Sequence, residues 1–401
     1  MTPSRRQTSR SSSPESSDSD AAASTGGARR RVWLFRFVAI LLSLLLILLV
    51  AEVVLRAIDY RPASTNSLRK LRRTDDPHLL YDCFPENRNG EFDPLPDTEE
   101  GPWELLTNTG EPLPWSRLQE TPWCVEYRLS KLKLREKELP GYWPPEGKTR
   151  IACVGDSFVY GQGVPVERTL PHLLELELDT DYQVVNVSYI AWDLSEEMKQ
   201  LAHFRKQKHC SRALFVFIVN DLFLSRELKD RHTAILKMLT EREAAVADYE
   251  RGWWKWGPSR VMQAIHATIL DAAIGKETIA WYRDCFDPEV NAVGLELFEQ
   301  QLKQLAHLKD CQVAMVIYPL MKGLEGEYPL TEAHALIAKM ATEAGIPVLD
   351  LLPAFVGQKT SDLWVDPADQ HPNGKAHAIA AKAIAEWLRD DQAEFLEEET
   401  R

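Results

Sequence analysis

The sequence is poor in cysteine, and none of its six cysteines stands in a Cys-x-x-Cys spacing. That argues against a structural zinc site and against a dithiol redox motif. An excess of positive charge is also missing. The chain carries 47 Lys and Arg against 60 Asp and Glu, a formal net charge of −13 at pH 7, with no dense basic stripe in the portion expected to fold. Nucleic acid is therefore excluded as the main partner. Large apolar residues are nearly absent from the first 31 positions, and no internal repeat occurs anywhere in the 401 residues. What remains is ordinary for a globular chain, with 44% hydrophobic residues and enough length for one large domain with appendages.

Residues 1–31, rich in Ser, Arg and Ala, cannot bury enough surface to offset their ordering entropy, so a disordered tail is expected. Residues 32–58 follow as a candidate transmembrane anchor. The uncharged stretch Phe37 to Ala51 is 15 residues, and Val32 to Leu55 is 24 when Arg36 and Glu52 are counted near the ends. Long charged side chains can snorkel there, and 24 residues cross a bilayer core of about 30 Å. No small-x-small cleavage site follows, which favours an uncleaved anchor over a signal peptide or a buried soluble helix. Arginines flank the span on both sides (Arg29, Arg30 and Arg31 before it; Arg61, Arg69, Arg72 and Arg73 after it). The positive-inside rule is thus indecisive. The short tail and large C-terminal domain favour a single-pass protein with its main domain outside the cytoplasm.

Residues 59–148 are punctuated by Pro85, Pro94, Pro96, Pro102, Pro112, Pro114 and Pro122, and only Val125 to Leu134 alternates as a half-buried strand does. An irregular Pro/Trp-rich layer packed on the main domain is expected. Cys83 and Cys124 are the only two cysteines of this region, and a disulfide between them is one hypothesis. From residue 149 to 390 short β-branched runs (Arg150 to Val154, Tyr182 to Val187, Ala213 to Val219, Gln312 to Tyr318, Pro347 to Leu351) alternate with helical patterns. That alternation predicts an α/β domain with a parallel five-stranded sheet covered on both faces. Cys153, within the first run, reads as a small core residue. Residues 222–292 form a mostly helical insertion containing Gly252-Trp-Trp-Lys-Trp-Gly-Pro258, either a sugar-stacking lid or an element docked by aromatic packing. Residues 391–401 form an acidic end expected to fray.

The chemistry gathers at strand ends, where open parallel sheets bind ligands. Gly155-Asp156-Ser157 closes the first strand, and Gly161 and Gly163 follow. A serine needs an adjacent base to become a nucleophile, and that base needs an orienting acid. His371 is the candidate base, with Asp369 or Asp366 as the acid. Asn220 ends the third strand, where its carboxamide can donate to an oxyanion, and the backbone N–H of Ala191, past the second strand, can join it. Each residue alone has a plain alternative. Ser157 can cap a helix, Asn220 can make an Asx turn, and His371 can be a loop histidine like its neighbour His377. An Asp/Asp/His metal site is a further alternative, without a supporting His or Cys cluster.

The set of motifs from about Thr149 to Leu388 resembles the SGNH hydrolase, or GDSL-type esterase, superfamily. Phe158 stands where the GDSL name has leucine, Ala191 and Ile218 stand where the family usually has glycine, and Asn220 is retained. Ala368 occupies the family's usual acid position, and the spacing of Asp369 and His371 resembles that of a membrane-anchored bacterial branch. The resemblance implies a flavodoxin-like, three-layer α/β/α fold and no cofactor or metal. It implies Ser157 as nucleophile, His371 as base, Asp369 or alternatively Asp366 as acid, and the backbone N–H groups of Ser157 and Ala191 with Asn220 as the oxyanion hole. Three functions are compatible with it. One is ester hydrolysis through an acyl-serine, on O-acyl (acetyl) esters of carbohydrate or small molecules. The second is O-acyl transfer to a cell-envelope glycan. The third is a catalytically silent glycan-binding or scaffold domain.

Overall fold

The computed structural model of the chain describes residues 18–58, 60, 62, 69–84, 87, 90–94, 103–107, 111–112, 114–115, 123–136, 138–139, 141–250, 259–367 and 369–396. The described parts form two compact units, one from 1–61 and 252–266, the other from 62–251 and 267–401.

In the first unit, helix α1 (Asp18–Ala57) extends further toward the N-terminus than the composition suggested. Residues 18–31 are helical, which corrects the expectation of disorder for that part of the tail; residues 1–17 lie outside the described residues. Ala21, Ala22 and Ala23 are strong helix formers, and extending an existing helix requires no new nucleus. The stretch Arg31–Ala57 is long and apolar enough to cross a membrane, and its large side chains are exposed all around the helix. Near its end, the Glu52 carboxylate accepts from the hydroxyl of Ser259 at 2.8 Å and from the backbone N–H groups of Arg260 and Val261 at 3.0 Å. Those N–H groups open a second helix and would otherwise lack partners.

The second unit begins with strands β1 (Arg69–Arg73), β2 (Leu79–Phe84), β3 (Asp93–Pro94), β4 (Trp103–Thr107) and β5 (Trp123–Arg128). They form an antiparallel sheet in the order β3-β5-β2-β1-β4, so the 59–148 segment is more regular than expected. Two of these strands escape a periodicity reading. β1 is Arg-Lys-Leu-Arg-Arg, with one apolar residue, and β3 is only two residues long. One face of the sheet presents Phe84, Val125 and Tyr127 to Tyr160, Val164 and Val365 of the main domain. The other buries Leu71, Cys83, Leu105 and Cys124 beneath Tyr81, Trp103 and Trp115.

The main domain then alternates strand and helix: β6 (Thr149–Gly155), α2 (Ser157–Tyr160), α3 (Leu170–Glu177), β7 (Tyr182–Ser188), α4 (Leu194–Gln207), β8 (Arg212–Phe217), α5 (Arg226–Glu250), α6 (Arg260–Cys285), α7 (Ala292–Ala306), β9 (Gln312–Ile317), α8 (Thr331–Glu343) and β10 (Val348–Asp350). It ends with α9 (Leu352–Phe355), the hairpin β11 (Trp364–Asp366) and β12 (Asp369–Pro372), α10 (Gly374–Asp390) and α11 (Ala393–Leu396). The five parallel strands run in the order β10-β9-β8-β6-β7, the flavodoxin-like arrangement. Helices α3 and α10 pack together in one layer, and α7 packs on α8 and bonds α4 through Gln301 and Ser195 in the other. Every residue of β8 is buried, as expected of a strand covered on both faces.

Within the 222–292 insertion, α5 and α6 are joined by ion pairs of Arg231 with Asp284 and Glu277, and of Arg242 with Asp271. The segment 252–258 lies outside the described residues. The C-terminal end is docked up to Leu396, contrary to the expected fraying. Phe395 is buried, Arg212 donates to its carbonyl at 2.7 Å, and the Tyr182 hydroxyl donates to the carbonyl of Leu396 at 3.0 Å.

Candidate active site

The strand order reverses beside β6: the chain leaves it for β7 on one side and returns to β8 on the other. Such a switch point opens a crevice at the carboxyl ends of the strands. Ser157 follows β6 at that point and opens the single turn of α2. Asp156 caps the turn, accepting from the backbone N–H of Phe158 at 2.9 Å. Gly155 is required by close approach, since a Cβ there would meet Val159 Cγ2 at 2.5 Å and the Val216 carbonyl at 3.0 Å. Gly161 ends the turn at φ +74°, a backbone state that disfavours a side chain.

The hairpin of β11 and β12 brings the late motif back over this turn. His371 Nε2 lies 2.9 Å from Ser157 Oγ. Its Nδ1 bonds the Asp369 carboxylate, which also accepts from the His371 backbone N–H at 3.2 Å and from the Gln162 carboxamide at 3.4 Å. Asp369 is thus the carboxylate that contacts His371, while Asp366 lies opposite it on the paired strand. The His371 side chain is 26% exposed and its carboxylate partner 7%, so the imidazole is reachable and the acid is shielded. Burial is the strongest influence on His371 and works against the imidazolium, but the charge and hydrogen bond of Asp369, with the charges of Asp156 and Asp82, together outweigh it and hold the His371 pKa above its ordinary value. Burial likewise opposes ionisation of Asp369, and the His371 charge and hydrogen bonds hold its pKa below the usual carboxylate range. The other late histidine, His377, is fully buried on α10, and burial pushes its pKa down to about 3. It is a neutral core residue.

Asn220 follows β8, half-buried, and its Nδ2 donates to Asp156 Oδ2 at 3.0 Å. A carboxamide has two N–H donors, so one is anchored and one is left for an incoming group. Ala191 follows β7 with φ +62°, in the left-handed region where a methyl group is disfavoured and a glycine would sit without strain. It is exposed on the same end of the sheet. Among the described residues, no cluster of three or more His, Cys, Asp or Glu is placed to hold a metal ion.

Several supporting groups carried no sequence signal. The Arg135 guanidinium is buried, stacked over Tyr127 at 4.2 Å and Tyr160 at 5.4 Å. It donates to the carbonyls of Tyr160, Gly161 and Val164, fastening the loop after Ser157. The Tyr127 hydroxyl donates to Asp82 at 2.6 Å and accepts from the Gly163 N–H at 2.6 Å. Behind Ser157, the carboxyl groups of Asp156, Glu197 and Asp221 are all buried, and burial raises the pKa of each. Gln162, which donates to Asp369, likewise carried no sequence signal.

No family model matches the chain, and no curated protein matches it. Solved structures do. One is an inhibitor-bound aryl esterase from M. smegmatis, 14% identical, with a TM-score of 0.34, covering 60% of this chain and 98% of that one. Another is a carbohydrate acetylesterase family member from Sinorhizobium meliloti, 10% identical, with a TM-score of 0.33, covering 60% of this chain and 97% of that one. A third is a psychrotrophic esterase from Pseudoalteromonas sp., 14% identical, with a TM-score of 0.31, covering 61% of this chain and all of that one. Likeness at this level concerns the path of the chain.

Proposed function

We propose that the chain is a serine ester hydrolase that works through an acyl-serine intermediate. One observation carries this proposal: Ser157 Oγ lies 2.9 Å from His371 Nε2 while Asp369 holds the other ring nitrogen. In the first step the Ser157 oxygen attacks the ester carbonyl carbon and its proton passes to His371 Nε2. The carbonyl oxygen becomes an oxyanion, met by the free N–H of Asn220 and by the backbone N–H groups of Ser157 and Ala191. The carbon–alkoxy bond then breaks as His371 returns the proton to the departing alcohol. Water, deprotonated by the same imidazole, attacks the acyl-serine and releases the acid and the free hydroxyl.

The substrates proposed are O-acyl, chiefly acetyl, esters of carbohydrate or small molecules. The complete relay of Ser157, His371 and Asp369 disfavours a catalytically silent domain. The helix Arg31–Ala57 is long and apolar enough for a single-pass anchor, and we propose that the hydrolase domain lies outside the cytoplasm. Full-length protein in detergent, assayed with short-chain aryl esters, tests the proposal. Ser157→Ala is expected to cut kcat by about 10⁴-fold or more. Equal rates in wild type and variant would refute it.

A further inference from the structure

We propose that Cys83 and Cys124 are joined as a disulfide in the working protein, and that this bond steadies the turn that carries Ser157. The first half stands on the geometry alone; the second rests on the hydrolase reading above.

The two residues face each other in register on β2 and β5. Directly opposed residues of antiparallel strands have Cα atoms about 4.5–5.5 Å apart. A disulfide spans Cα separations of about 4.4–6.8 Å, so bonding requires no backbone movement. Both side chains turn to the same face, both are buried, and their sulfurs lie 2.9 Å apart. Both are thiols in the structure. Among the described strands, Cys83 and Cys124 are the cysteines paired with each other; Cys153 on β6 faces Asn186 and Leu214 instead. Oxidation breaks two S–H bonds and forms one S–S bond. The two protons and two electrons pass to a low-molecular-weight disulfide such as oxidised glutathione, which becomes two thiols. An oxidising compartment outside the cytoplasm is where such bonds persist.

The bond sits where it can reach the active site. Cys83 follows Asp82, which accepts from the Tyr127 hydroxyl, three residues beyond Cys124. That hydroxyl in turn holds the Gly163 N–H, and the adjacent Gln162 donates to Asp369. A slip of one residue between β2 and β5 would turn Tyr127 to the opposite face and release this chain of contacts. A covalent link at Cys83 and Cys124 forbids the slip.

The test begins with thiol counting on full-length protein equilibrated with oxidised glutathione, then denatured and alkylated. Of the six cysteines, four are expected to be modified without reductant and all six with it, the protected pair being Cys83 and Cys124. Six modified thiols without reductant would overturn the bond whether or not the protein hydrolyses esters. Reductant is expected to lower the melting temperature by about 10 °C, and the Cys83→Ser/Cys124→Ser variant to melt that much lower regardless of reductant. For the positioning half, the readout is the rate at which a fluorophosphonate labels Ser157 in the folded wild type. A several-fold slowing on reduction, with KM for an aryl ester unchanged, is expected. An unchanged labelling rate would overturn the positioning role while leaving the bond to the thiol count.

Discussion

The two five-stranded sheets of the larger unit are built on opposite terms. The parallel sheet is covered on both faces, and its strands are nearly continuous apolar runs, as in Ile151-Ala-Cys-Val and Ala213-Leu-Phe-Val-Phe. The antiparallel sheet is made of short strands in which charged residues interrupt the apolar ones. The first places Ser157 and Asn220 just past its strand ends, and the separate β11–β12 hairpin brings His371 and Asp369 to Ser157. The second contributes none of these residues, yet Arg135 beyond β5 and Tyr127 within it hold the loop that follows Ser157. In the proposed reading the parallel sheet carries the nucleophile, and the antiparallel sheet steadies the loop behind it.

That division can be broken by substitutions on either side. The largest effect is expected from Asp369→Asn, which leaves His371 without a charge partner and lowers kcat by about 10³–10⁴-fold. The same variant sharpens the electrostatics. A base must be neutral to act, so activity in the wild type should rise as pH increases through a His371 pKa that Asp369 holds above the ordinary 6.5. With Asp369 neutralised, burial is left to lower that pKa, and the acid limb of kcat/KM should move to lower pH. A limb that stays in place would contradict the assignment of the acid. Next in size is Asn220→Ala, expected to reduce kcat by about 10²–10³-fold with little change in KM. Smaller again is Tyr127→Phe in the antiparallel sheet. It leaves the Gly163 N–H and the Asp82 carboxyl without their shared partner, and thermal or urea unfolding should show a loss of about 1–3 kcal/mol. Its kcat should fall far less than that of Asp369→Asn. A loss of kcat as large as that of the site variants would erase the distinction between the two sheets.

The same contrast governs what the sequence discloses. A strand buried on both faces is apolar throughout and sits between helical patterns, so β6 to β10 are legible to within a residue or two. The strand ends then disclose Ser157 and Asn220, polar residues where an apolar run stops, while His371 lies on the β11–β12 hairpin. β1 and β3 have no such signature; their pairing is decided by neighbours such as β2 and β5. The choice between Asp369 and Asp366 turns on the bend of the β11–β12 hairpin, a register irregularity that composition does not encode. The roles of Arg135 and Tyr127 depend on contacts to backbone carbonyls and N–H groups, which leave no trace in side-chain patterning. The docking of α11 follows from one buried phenylalanine, Phe395, in an otherwise acidic end.

The most direct test of the central claim is intact-mass analysis after treating the full-length protein with a fluorophosphonate. A single adduct on Ser157 in the wild type, with labelling slowed by orders of magnitude in His371→Ala, is the expected result. An adduct at another residue, or labelling of His371→Ala at the wild-type rate, would contradict it.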